Sequence, residues 1–139
     1  VKKAGAAPPG LPLGSHNFRV SVGSGRDAVE VGCTRVDLPR LVAAGGAAAD
    51  DSPLVLRRGF DGGMLFAEWW QQHQGAARTP KGRVVTIDLL DGAGREVGLR
   101  WRFANCRPTA LQHSALDATV PAVLIESLAL AFDGVELSR

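Results

Sequence analysis

Cysteine is scarce in this chain of 139 residues: Cys33 and Cys106 are the only two. They form no C-x-x-C unit and cannot staple a disulfide framework, so the default is a reducing compartment with both thiols acting as small buried hydrophobes. Long apolar runs are missing, and none approaches the roughly 18–20 residues a bilayer-spanning helix needs. Excess charge is missing as well. A net charge of +2 supplies no basic field for nucleic acid or an anionic membrane. Lysine is confined to Lys2, Lys3 and Lys81 against thirteen arginines, which, with abundant Ala and Gly, suggests GC-rich coding. What is present, 45% hydrophobic and 22% charged residues, is the composition of one globular domain. A chain of this size buries roughly 65–70% of its unfolded surface in one core.

Chemistry-bearing constellations are also lacking. His16, His73 and His113 are far apart and have no partner at metal-ligand spacing. Gly23-Ser24-Gly25 lacks the third glycine of a dinucleotide loop and lies between two strand-like runs, where a turn is expected. No serine sits in G-x-S-x-G, and nothing beside either cysteine would activate it. No pair among the fourteen acidic residues is singled out for hydrolysis. The expectation is therefore a non-enzyme without metal or cofactor.

Val1–Ser15 is rich in Gly, Pro and Ala and reads as a flexible arm before a domain at 16–139. Lys2 and Lys3 open it like a signal peptide, but Pro8, Pro9, Gly10 and Pro12 interrupt the pattern before an apolar helix can form. Phe18, Val20 and Val22 alternate with Arg19 and Ser21, Gly23–Asp27 turns the chain, and Val29, Val31 and Cys33 resume the period. Leu41–Asp51 has no periodicity and reads as a loop. Pro53–Arg58 predicts a short strand. Asp61 can cap a helix from about Gly62 to Gln74, with Leu65, Phe66, Trp69, Trp70 and His73 at helical spacing. Trp69 reads as core. Phe66 and Trp70 widen the apolar stripe beyond what one core needs, which suggests a subunit contact.

The strongest local signal lies between Arg83 and Cys106. Val85, Ile87 and Leu89 alternate with Thr86 and Asp88. Asp91-Gly92-Ala93-Gly94 turns the chain, and Val97, Leu99, Trp101 and Phe103 then share one face opposite Arg100 and Arg102. A last strand is predicted from about Ala122 to Phe132. Strands with one inserted α-helix make the fold mainly β, a small β-barrel or sandwich.

Several of these segments carry a resemblance, covering about residues 16 to 137. Leu54-Val55-Leu56-Arg57-Arg58-Gly59-Phe60 is close to L-x-L-K-R-G-L, and the helix with Trp69 follows it. The hairpin from Val84 to Val97 places a leucine pair before D-x-x-G. Trp101–Pro108 is similar to W-x-F-x-x-A-x-P, and Ile125–Leu130 to I-E-x-L-x-L, followed by Asp133-Gly134. In this order and spacing the chain resembles the tail tube protein family of contractile phage tails and phage-like contractile injection systems.

The resemblance implies a structural subunit assembled in the bacterial cytoplasm. Six copies would form a ring with a continuous inner β-barrel, and rings would stack into a tube. Partners would be a surrounding sheath and baseplate or tube-end proteins, with nucleic acid or an effector only as passing cargo and no membrane binding of its own. Ring closure would pair open strand edges, and head-to-tail stacking would give a filament. Thr86, Asp88, Arg100 and Arg102 are then the candidate lumen or interface face. If they line the bore, reversing both arginines should change what it accepts and spare the fold. Leu41, Gly45, Gly46, Asp50 and Asp51 belong to the candidate ring-stacking loop, and Phe66 and Trp70 to the candidate subunit-contact helix. The Ala/Gly-rich loop departs from the longer polar loop of the main tube proteins, which leaves a specialised baseplate-proximal or terminal ring as a second reading. A monomeric β-barrel using Trp69 and Trp70 as a ligand platform is the alternative from another class.

Overall fold

The structure, a computed structural model, describes residues 12–43, 52–75 and 80–139. Among the described residues the strands are β1 Phe18–Val22, β2 Val29–Val31, β3 Arg35–Asp37, β4 Leu54–Gly59, β5 Arg83–Leu90, β6 Val97–His113, β7 Ile125–Ala131 and β8 Gly134–Ser138. The helix, α1, spans Leu65–Gln72. The strand order is β2-β1-β5-β6-β7-β4-β3, with β8 also on β6. The fold is mainly β with one inserted helix, as the sequence implied. No ladder joins β2 to β3 among the described residues, so the sheet path has two ends instead of closing into a barrel.

The chain divides into two compact units. The first holds β1, β2, β5, the beginning of β6, and β8. Its core follows from period-2 alternation: Val20 lies opposite Val31 on one side and Ile87 on the other, and Val22 faces Val29 and Val85. Val20, Val22, Val31, Val85, Ile87 and Phe103 are buried. The β1–β2 turn needs a glycine at Gly23, where φ is 101° and a Cβ would stand 2.8 Å from the Asp27 carbonyl oxygen. The β5–β6 turn is organised by Asp91. Its Oδ1 accepts the Arg95 amide at 3.0 Å, and its carbonyl accepts the Gly94 amide at 2.8 Å. Leu13 lies against Gly98 so closely that a Cβ there would collide with it.

The second unit holds β3, β4, α1, the rest of β6, and β7. Leu54 faces Leu130 and Leu56 faces Leu128 across the β4–β7 ladder, and all four are fully buried. Phe66 and Trp69 of α1, three residues apart and thus on one helical face, are buried in the same unit.

Several boundaries differ from the sequence reading, each for a physical reason. α1 is shorter than Gly62–Gln74. Asp61 Oδ1 accepts the Gly63 amide at 2.9 Å in a turn ahead of the helix, and the residue before the helix, Met64, has no side chain able to cap. Cys33 follows β2 instead of lying on it and is half-buried, and burial pushes its thiol up to about 11 despite nearby Arg58. Pro108 does not end its strand. It sits at a register shift opposite Leu130, and β6 continues to His113. Asn105, at φ 54°, supplies a left-handed kink that its side chain secures on Asp133. β3 and β8 are strands where the sequence reading has none.

Leu56→Ala should lower stability to urea by about 2–5 kcal/mol through the cavity it leaves. Val29→Ala, at an exposed position, should stay within about 0.5 kcal/mol in the same titration.

Candidate functional site

The two most recognisable sequence segments meet across one ladder. Leu54–Gly59 lies antiparallel to Ile125–Leu130, with Arg58 directly opposite Glu126. The Arg58 guanidinium donates from Nε to Glu126 Oε1 at 3.0 Å and from a terminal nitrogen to the Gly63 carbonyl at 2.5 Å. It also stands 4.5 Å above the centre of the Phe66 ring. Glu126 is 1% exposed, and its second oxygen lies 2.9 Å from His113 Nε2. Buried charge is tolerated only when each partner is satisfied, and here each has several. This set of contacts ties β4, β6, β7 and the turn before α1 together.

A second ionic arrangement sits on the first unit. Asp88 is buried and receives Arg100 through two bonds, at 2.6 and 3.1 Å, and Arg19 at 3.0 Å. Burial alone would raise its pKa. The two guanidinium groups outweigh burial and hold the carboxyl below its usual range. A third, Asp37, joins Arg35 at 2.8 Å and Arg57 at 3.1 Å on the second unit, and Arg57 reaches Ser127 as well. The hydrogen bond from Arg35 leads in holding Asp37 low.

The residues named from sequence are distributed as follows. Thr86, Asp88, Arg100 and Arg102 do share a strand face, extended by Arg19, which pairs with Asp88 across the β1–β5 ladder, and by Glu136, opposite Arg102. They are not equivalent. Asp88 and Arg100 hold strands together, Thr86 is half-buried, and Arg102 is exposed. Reversing Arg100 would set a second carboxylate against Asp88, so Arg100 is no neutral probe of that face. Leu41 is exposed, whereas Gly45, Gly46, Asp50 and Asp51 lie outside the described residues, as does most of the Val1–Ser15 arm. Phe66 is fully enclosed beneath Arg58, and Trp70 is half-buried, so only Trp70 has surface to offer another chain. Sequence reading missed Arg58, Glu126 and Arg19. An Arg and a Glu inside two apolar alternations were the available signal for the first pair.

What these arrangements define is a strand-built domain in which Asp37, Asp88 and Glu126 are spent on holding strands in place. Residues 42–136 match the family model described as T4-like virus tail tube protein gp19, well over half of the chain. The chain belongs to that family. Its fold is that of a chain in the sheath–tube complex of the extracellular contractile injection system PVC, in the extended state, at TM-score 0.72 and 23% identity over 94% of this chain and 93% of that one. A chain of the PVC sheath/tube terminator matches at TM-score 0.75 and 23% identity, over 95% and 100%. One from the anti-feeding prophage baseplate matches at 0.70 and 19%, over 92% and 96%. No curated protein matches the sequence.

Asp88 has its pKa lowered on folding, so its contribution is present at neutral pH and is lost as pH falls through the folded value, below about 4. Asp88→Asn should cost about 1.5–3 kcal/mol at pH 7, the worth of hydrogen bonds to a charged group. The deficit should shrink in denaturation curves recorded toward pH 3.

Proposed function

We propose that this chain is the inner-tube subunit of a phage tail or phage-like contractile injection particle, acting as a structural element and not as an enzyme. The observation that carries the reading is the tail tube family match over residues 42–136, which takes in β4, α1, β5, β6 and β7. Six copies form a ring, rings stack into a conduit, and a sheath surrounds it, with baseplate and tube-end proteins at its extremities. Assembly takes place in the bacterial cytoplasm, and nucleic acid or an effector is only cargo. The open sheet supports this reading. The three-residue strands β2 and β3 at its two ends are edges that a neighbouring copy can cover.

A terminal or baseplate-proximal ring of the same particle is the second reading. It is favoured by the solved chains of similar fold in the PVC terminator, the anti-feeding prophage baseplate and the anti-feeding prophage cap.

Light scattering after size exclusion, with negative-stain microscopy of the same fractions, tests the proposal. Hexameric rings that lengthen into tubes with concentration are expected for the main subunit, and rings that stop at one or two layers for the terminal reading. A monomer that stays single at high concentration overturns both.

Arg102 is the proper probe of the candidate bore face, since it is exposed and Arg100 is committed to Asp88. Arg102→Glu should leave stability within about 0.5 kcal/mol, as exposed substitutions do. It should reduce the amount of an anionic test polypeptide that sediments inside pelleted tubes.

A further inference from the structure

The segment between β6 and β7 is a closed, ordered loop with an apolar surface. Ser114 and Ile125 shut its neck through two hydrogen bonds, each of 2.9 Å, the Ser114 amide to the Ile125 carbonyl and the Ile125 amide to Ser114 Oγ. Inside, Asp117 Oδ1 accepts the Thr119 amide at 2.9 Å and its hydroxyl at 2.6 Å, and the Val120 amide reaches the Asp117 carbonyl. Loops of this kind are normally polar on the outside. This one exposes Val123 at 67%, and it exposes Leu116 at 88% and Val120 at 53% around an open hollow of ≈ 540 Å³. That is far more than the roughly 30 Å³ share of one water, and is room for aliphatic side chains. Phe60, also exposed, is tied to the same patch, since its amide donates to the Leu124 carbonyl at 2.8 Å.

The opposite end of the same β4–β7 ladder carries a second apolar patch. β3 pairs with β4 so that Asp37 meets Val55, which places Leu38 level with Leu54 and the residues after it beyond the start of β4, whereas Phe60 lies beyond its end. Leu38 and Leu41 are exposed there, flanking exposed Arg40. Six residues of strand separate the two ends by about 20 Å, so one copy cannot join them to each other. Their charges are complementary. The loop's one ionised group is Asp117, held below its usual range by its bonds to Thr119, and the far patch carries Arg40.

From these observations we infer that the 115–124 loop of one copy docks, through Leu116, Val120 and Val123, on the Leu38–Leu41 end of a second copy, with Asp117 facing Arg40. Such a contact is heterologous: each copy offers a different surface on each side, and growth continues until symmetry closes it. The inference rests on the tube reading and adds which surfaces of the subunit meet.

Two variants test it, Leu116→Asp/Val120→Asp and Leu38→Asp/Leu41→Asp, followed by light scattering alone and mixed. All four positions are exposed, so circular dichroism and melting should match the wild type. Each variant alone should form assemblies smaller than the wild type. The equimolar mixture should recover a single contact and give a species of twice the mass of either variant. Variants that assemble like the wild type overturn the inference and leave the tube reading standing, with the loop facing some other protein. A mixture that recovers nothing overturns the heterologous pairing. A wild type that never assembles overturns the tube reading and this contact with it. Should the aspartates unfold the chain, a Leu41→Cys/Val120→Cys chain in a Cys33→Ser background replaces them. Mild oxidation of its assemblies should give a ladder of covalent oligomers, and a product that remains one chain long also overturns the contact.

Discussion

The register between β4 and β7 is the constraint on which the second unit depends, and one buried ion pair specifies it. Because side chains alternate with period two, a slip of one residue would turn Leu54, Leu56, Leu128 and Leu130 outward together. A slip of two would keep the leucines inside and cost little apolar area. It would, however, take Arg58 away from Glu126 and leave both charges enclosed without a partner. Breaking a buried pair in that way costs on the order of 3–5 kcal/mol. The hydrophobic pattern thus selects the face, and the ion pair selects the position along it. Phe66 and the Gly63 carbonyl occupy the rest of the guanidinium, so the same residue also fixes where α1 begins.

The first unit uses the same device on its polar face. Asp88 lies between Arg19 of β1 and Arg100 of β6, so one carboxylate links the strands on both sides of β5. That face shows three arginines and, with Glu136 opposite Arg102, a comparable supply of carboxylates. The stripe is close to neutral, in contrast to the cationic surface the two arginines suggest when read along one strand. Were this face to line the bore proposed above, it would offer a passing charged molecule no long-range field to hold it.

What could be read from the sequence follows from which forces are local. The hairpins around Gly23 and Asp91 were legible because a turn residue and period-two alternation sit within ten residues of each other. The α1 core residue Trp69 was legible for the same reason, at helical spacing. β3 and β8 were not. Arg35–Asp37 is too short to show a period, and Gly134–Ser138 has weak alternation and gains its strand character from pairing with β6. The passage of β6 through Pro108 was illegible because a proline normally marks a boundary, and only the bulge beside it removes the conflict. The polar face of the first unit was half legible. Strand parity placed Thr86, Asp88, Arg100 and Arg102 together, but no local rule could show that Asp88 would be buried and two of its neighbours committed to it. Phe66 was misplaced for a related reason. A wide apolar stripe on a short helix looks like an external contact until Arg58 is seen lying over it.

The uneven use of apolar surface explains how a chain this small can serve assembly. Leu54, Leu56, Leu128 and Leu130, with Phe66, Trp69 and Phe103, are spent on two modest cores, and Asp37, Asp88 and Glu126 are each paired with arginine. What remains unpaired and apolar is concentrated at strand ends and edges: Val29 on β2, Leu38 and Leu41 after β3, Phe60 after β4, and the 115–124 loop. A solitary protein gains nothing from leaving such residues at its extremities, where each invites association. A subunit gains direction from it, since faces that are internally satisfied do not compete with ends that are not. In the tube assembly proposed above, growth would be confined to the contacts that ends and edges can make.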